Sequence, residues 1–235
     1  MSTTKPIAAI IGVGPGNGTA LARQFSAAGY AVALLARSLD HTGPLAKELG
    51  DAVAIVCDAS VPDSVAAAFT QIKTELGDTD TLIYNAGPGT WATIEEASAQ
   101  DFERNWQVNA LGLFVATQQV LAGMKQRGGG NILIVGATAS RRGNARTVAF
   151  APAKAAQRSL AEGLARHLWP SGIHVALVII DGVVDLPRSR KNMPDKPDSF
   201  FVKPEALAKN VLWLAQQDRS AWTFEMEARP FGENW

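Results

Sequence analysis

Two clusters of residues in this chain have types and spacings that suit chemistry. The first is Gly12-Val13-Gly14-Pro15-Gly16-Asn17-Gly18, which fits G-x-x-x-G-x-G at Gly12, Gly16 and Gly18. Glycines at that spacing let a backbone turn tightly and bring its N–H groups, with the start of a helix, against a pyrophosphate. The second is Phe150-Ala151-Pro152-Ala153-Lys154, in which Phe150 and Lys154 stand four apart on one helix face. Desolvation lowers the pKa of a lysine so placed, which suits it to hold or pass a proton. Phe150 has no proton to give. Leu35-Ala36-Arg37-Ser38 adds a choice of ligand. A carboxylate at such a strand end holds the ribose diol of NAD, whereas an arginine accommodates the 2′-phosphate of NADP. Ala36 leaves the carboxylate out, and Arg37 with Ser38 beside it favours NADP.

These residues need elements to position them. Short apolar runs alternate with helical patterns, which predicts βαβ units and a parallel sheet covered on both faces. Strands are expected at residues 7–12, 31–36, 53–57, 81–84, 131–135, 173–180 and 222–226. Helices are expected at 18–28, 43–49, 62–76, 102–124, 151–168 and 204–216. Pro152 is tolerated in the first turn of its helix, where a missing N–H has no intrahelical partner. The fold class is α/β: a single Rossmann-type, doubly wound domain over residues 1–235, with a seven-stranded sheet that is mostly or wholly parallel. Residues 185–199, with Pro187, Pro194 and Pro197 among four basic residues, have no period and read as a mobile substrate loop over the strand ends.

With these motifs in order, the chain resembles the short-chain dehydrogenase/reductase family from about residue 7 to residue 180. Asp58, followed by Ala59, matches that family's adenine-contacting aspartate. Asn85-Ala86-Gly87, ahead of Pro88, matches the latter part of its Asn-Asn-Ala-Gly, with Tyr84 replacing the first asparagine. Asn109 matches its active-site helix asparagine, and Lys154 its lysine that bonds the nicotinamide ribose. Gly182 and Val184 stand where its main chain holds the carboxamide. The resemblance implies cofactor binding by Gly12, Gly16, Asn17, Gly18, Arg37, Ser38, Asp58, Ala59, Asn85, Ala86, Gly87, Lys154, Gly182 and Val184.

The departures fall at the reacting centre. The family's tyrosine is Phe150 here, and its serine, thirteen residues earlier, is Ala137, with Thr138 next to it as a substitute hydroxyl. The threonine expected after the sixth strand is Leu186. Asn109, Thr138, Phe150 and Lys154 are thus the catalytic positions, with Phe150 not an acid. Two readings stay open: an NADPH-preferring oxidoreductase with non-standard proton delivery, and a catalytically silent NADP-binding protein acting as redox sensor or assembly subunit. The resemblance also implies a small-molecule substrate and a homodimer or homotetramer built on helices 102–124 and 151–168.

The rest of the chain narrows the field. Net formal charge is zero, which gives no electrostatic ground for nucleic acid or an anionic membrane. The longest apolar run, 175–180, is far short of the ~20 residues of a membrane helix. Cys57 stands alone, which excludes an intrachain disulfide and fits a reducing, cytoplasmic setting. His41, His167 and His174 show no metal-ligand spacing, so no metal is expected, and His41 reads as a surface residue. Asp181 is expected to cap its own turn. Trp91, Trp106 and Trp213 read as packing residues, and Arg146 and Thr147 as candidates to face a substrate.

Overall fold

The computed structural model describes residues 5–87 and 89–232, so Pro88 in the turn after the fourth strand lies outside the described residues. The chain runs β1 (Ile7–Ile11), α1 (Asn17–Ala27), β2 (Ala31–Ala36), α2 (Leu39–Leu49), β3 (Ala52–Val56), α3 (Pro62–Glu75) and β4 (Thr81–Tyr84). It continues through α4 (Ala99–Trp106), a π-helical turn (Gln107–Leu111), α5 (Gly112–Arg127), β5 (Gly130–Ala137), α6 (Phe150–Leu168) and β6 (Ile173–Ile180). The last elements are β7 (Val183–Val184), α7 (Pro187–Asn192), β8 (Phe201–Val202), α8 (Pro204–Ala215) and β9 (Glu225–Ala228).

The main sheet has seven strands in the order β3-β2-β1-β4-β5-β6-β9, and every pairing is parallel. Alternation along each strand divides the core between its faces. Ile7, Ala9 and Ile11 pack with α3, α5 and α6, while Ala8 and Ile10 pack with α1, α2 and α8. With helices on both faces, no side of a central strand meets water, so β1, β4 and β6 are apolar at nearly every position. Strand order reverses between β1 and β4, and a crevice opens there at the carboxyl ends of the strands. Among the described residues, no helix is long and apolar enough to cross a membrane.

Several sequence expectations shift. The last strand is Glu225–Ala228, not 222–226, because Trp222 stacks flat on His174 (centroids 4.7 Å apart, 6°) and edge-on to Trp169 in the approach to it. The helix expected at 43–49 begins a turn earlier, at Leu39, with Asp40 in the first turn where the helix dipole favours negative charge. The single helix expected at 102–124 starts at Ala99, under a Ser98–Asp101 capping box, and is interrupted by the π turn around Asn109. Residues 185–199, expected as an aperiodic loop, carry α7 and are tied down. Arg190 forks onto Asp185 at 2.7 Å, reaches Asp198 at 2.6 Å and lies over the Phe201 ring at 4.1 Å. Trp91, Trp106 and Trp213 are exposed rather than packed.

Candidate functional site

The turn between β1 and α1 requires glycine at residues 12 and 18. Gly12 has φ +90°, and a Cβ there would lie 2.6 Å from the Ala86 backbone; one on Gly18 would lie 2.6 Å from Val13 Cα. The turn is thus pressed against the end of β4, where Asn85 Nδ2 donates to the Gly12 carbonyl at 2.7 Å and Asn85 N–H to the Ile11 carbonyl at 3.0 Å. No side chain caps α1; Thr19 N–H turns back to the Gly14 carbonyl at 3.1 Å, and the positive end of the helix faces the turn, where it favours an anion. Asn17 Oδ1 is buried there with no hydrogen-bond partner. An amide so placed calls for a polar ligand group, and its two ends can be exchanged by rotation. This cradle fits a dinucleotide pyrophosphate.

On the β2 side of the turn lies a cavity of ≈ 530 Å³, lined among others by Arg37, Ser38, His41, Asp58, Ala59 and Arg104. Asp58 accepts from Ser60 N–H at 2.9 Å and from the Ser60 hydroxyl at 2.6 Å. Those bonds hold its carboxyl below the usual range, and the Arg37 and Arg104 charges act in the same direction. Ser38 donates to Asp40 at 3.0 Å, which leaves its oxygen as an acceptor. His41 is not a free surface residue. Its Nε2 lies 2.6 Å from Thr19 Oγ1, whose own proton goes to the Gly14 carbonyl at 2.8 Å, so the imidazole N–H donates. Arg104, on α4, was not singled out in the sequence, since an arginine on an amphipathic helix has no local mark of a distant pocket.

A second cavity of ≈ 430 Å³ continues from Gly12 and Asn85 past Gly16, Asn17 and Gly18 to Val184 and Leu186. The Leu186 side chain rests on Gly16, in space that a Cβ on residue 16 would fill. Gly182 and Val184 carry the chain from the end of β6 toward α7 above it.

Lys154 lies deeper. Its Nζ donates to the Val135 carbonyl at 3.1 Å and to Gln157 Oε1 at 2.9 Å, while Gln157 Nε2 donates to the Asn109 carbonyl at 3.0 Å. A π turn shifts the backbone ladder around Asn109, and the side chain of Gln157, from the facing helix, satisfies its carbonyl. Asn109 Nδ2 donates to the Asn105 carbonyl at 2.9 Å. A Cβ on Gly87 would meet both Asn109 Oδ1 and Lys154 Nζ at 3.0 Å, so these two groups converge beneath the end of β4. Burial with only neutral acceptors pushes the Lys154 pKa down to about 7. Gln157 was not picked out in the sequence; a glutamine three after a lysine shows its role only when both are buried.

Phe150 is buried on the same helix face, its ring 6.0 Å from Lys154 Nζ and 6.3 Å from the Trp91 ring. Thr138 faces elsewhere. Its hydroxyl donates to the Asp181 carboxylate and lies 3.2 Å from the Ile180 carbonyl, so its proton is committed within the protein. Asp181, expected to cap its own turn, instead accepts from Thr138 and Arg229, with Arg142 at 3.7 Å. Thr147, expected to face a substrate, is buried in a turn with Asn144. Neither of the chain's two tyrosines replaces the missing acid. Tyr84 is fully buried with its hydroxyl on the Val108 carbonyl, and burial pushes its pKa up. Tyr30 packs edge-on against Phe25, next to the amino end of β2.

The chain is similar to known proteins over most of its length. A family model described as short chain dehydrogenase matches residues 6–196. A cyclic-di-GMP-binding biofilm dispersal mediator protein of Escherichia coli is 32% identical over 226 residues, covering 92% of each chain. A D-xylose 1-dehydrogenase of Caulobacter vibrioides is 30% identical over 227 residues, covering 91% of this chain and 90% of that protein. The X-ray structure of an alcohol dehydrogenase from the archaeon Thermococcus sibiricus, complexed with 5-hydroxy-NADP, matches with a TM-score of 0.88 at 27% identity and covers 98% of each chain. A parallel sheet with its glycine turn at the switch point, matched by a family model over most of its length, places this chain in the short-chain dehydrogenase family of oxidoreductases.

Proposed function

We propose that the protein is an NADPH-preferring oxidoreductase that reduces a small molecule without a side-chain acid at the Phe150 position. The observation that carries this reading is the crevice itself. It runs from Arg37 and Arg104 past the glycine turn to Val184, with Lys154 and Asn109 beneath Gly87. Bound there, the dihydronicotinamide supplies a hydride. The chain's residues do the rest. Arg37 offers a forked donor to a 2′-phosphate, and no carboxylate at Ala36 repels it. Asp58 and Ala59 border the adenine end, and the start of α1 takes the pyrophosphate. Lys154 and Asn109, fixed by Gln157, hold the nicotinamide ribose end, while Leu186 covers Gly16 and excludes water from the turn.

The T. sibiricus structure, which holds 5-hydroxy-NADP, supports this choice of cofactor. Titration of the protein with NADPH and NADH tests it. NADPH binds more tightly by about tenfold or more, and Arg37→Ala removes most of that difference, since a charge-assisted contact contributes about 1.5–3 kcal/mol. Equal affinities would refute the preference. A second reading, a dinucleotide binder without turnover, draws on the simultaneous replacement of serine by Ala137 and tyrosine by Phe150. The two relatives named as dehydrogenases weigh against it. We also propose a symmetric homo-oligomer, for which α4 and α5 present exposed Phe102, Trp106 and Phe114.

A further inference from the structure

Every described arginine except Arg37, Arg104 and Arg188 bonds or pairs with another group, from Arg23 on Glu48 to Arg219 on the Gly128 carbonyl. Among the described residues, the guanidinium groups of Arg37, Arg104 and Arg188 make no hydrogen bond or ion pair. They are not scattered. Arg37 and Arg104 line the cavity on the β2 side of the glycine turn, and Arg188 lines the one that continues past Gly16. A forked cation without a protein partner at a cavity wall is placed for an anionic ligand.

The backbone that carries Arg188 is fixed by its neighbours. Arg188 lies in the first turn of α7, whose Arg190 forks onto Asp185 at 2.7 Å and reaches Asp198 at 2.6 Å. Asp185 N–H donates to the Val202 carbonyl at 2.9 Å, which ties the approach to α7 onto β8. Leu186 rests on Gly16 and has no donor to offer the turn. The exposed Arg188 side chain borders the space between α7 and that turn. Among the described residues, it is the one charged group lining this cavity. No acidic residue opposes it there: α1 has none in its first turn, and Asp185 is neutralised by Arg190. The positive end of α1 and the Arg188 cation therefore border one space from two sides.

We propose that Arg188 binds the pyrophosphate of the dinucleotide and closes the crevice from the α7 side. The inference rests on the nicotinamide reading above and adds a charged second wall to its pyrophosphate site. NADPH and NADH both carry the pyrophosphate, so the contact is common to them. The 2′-phosphate assigned to Arg37 belongs to NADPH alone. The two arginines thereby divide the recognition: Arg188 raises affinity for either dinucleotide, and Arg37 sets the choice between them.

Calorimetric titration of the full chain with NADPH and with NADH tests this. Arg188→Ala is expected to weaken both by about tenfold and to leave their ratio unchanged, whereas Arg37→Ala changes the ratio. Arg188→Lys keeps the charge without the fork and recovers part of the loss. Screening supplies a second readout. Raising salt from about 0.05 M to about 0.5 M weakens NADH binding to the wild-type protein more than to Arg188→Ala. The urea midpoint of Arg188→Ala stays at the wild-type value, because the exposed side chain has no protein partner to lose. Unchanged NADH affinity in Arg188→Ala, or a loss confined to NADPH, overturns the assignment while cofactor binding stands. Failure of the wild-type protein to bind either dinucleotide overturns the cofactor reading and this inference together.

Discussion

Among the described residues, Lys154 Nζ bonds only to neutral partners, a carbonyl and an amide. Its folded pKa of about 7 lies well below its ordinary 10.5, so between those values the unfolded chain binds a proton that the native chain does not. Stability of the protein without cofactor must therefore rise as pH climbs from about 7 towards 10, and the full penalty of the buried charge is felt below 7. Urea midpoints measured across that range should show this climb, and Lys154→Met should flatten it. A midpoint equally steep in the variant would assign the dependence to other groups. At this scale the sequence was informative about identity: Phe150, Ala137 and Lys154 could be read directly. Orientation was not legible. Thr138 stands next to the expected serine position, yet its hydroxyl serves Asp181, a partner 43 residues away.

Elements place these residues through close backbone approach. The β1–α1 turn and the end of β4 touch where Gly12 meets Ala86, and Gly18 meets Val13 within the turn. Gly18→Ala puts a Cβ 2.6 Å from Val13 Cα, and it should cost about 1–3 kcal/mol in unfolding free energy while weakening NADPH binding. Chemical denaturation and cofactor titration of the same variant read both effects; normal stability with normal affinity would show that the turn can move aside. The glycine spacing was plain in the sequence because steric need writes itself locally. The π turn around Asn109 was not, since it is resolved by Gln157 from another helix. The last strand was placed early for the same reason. Apolar Trp222 reads as strand, but its stacking partner His174 lies on β6 and draws it into the approach to the strand.

For the whole molecule, the two cavities belong to one crevice across the carboxyl ends of the strands, and α7 with its ion pairs sits above it. The homo-oligomer proposed above would bury the exposed aromatic residues of α4 and α5. Sedimentation at micromolar concentration should give a dimer or tetramer, and Trp106→Glu should shift it towards monomer; a monomeric wild-type protein would refute the assembly. The sequence by itself determined the α/β class, the parallel sheet, the glycine turn and the missing acid. Each follows from local periodicity, local steric demand or side-chain identity. Only the tertiary structure decided that Arg104 lines the cavity of Arg37 and Asp58, that Gln157 fixes Lys154, that Thr138 faces Asp181 and that Trp91 stands exposed beside Phe150. Those relations join residues distant in the chain, and only packing of the helices and loops on the twisted sheet brings them within reach.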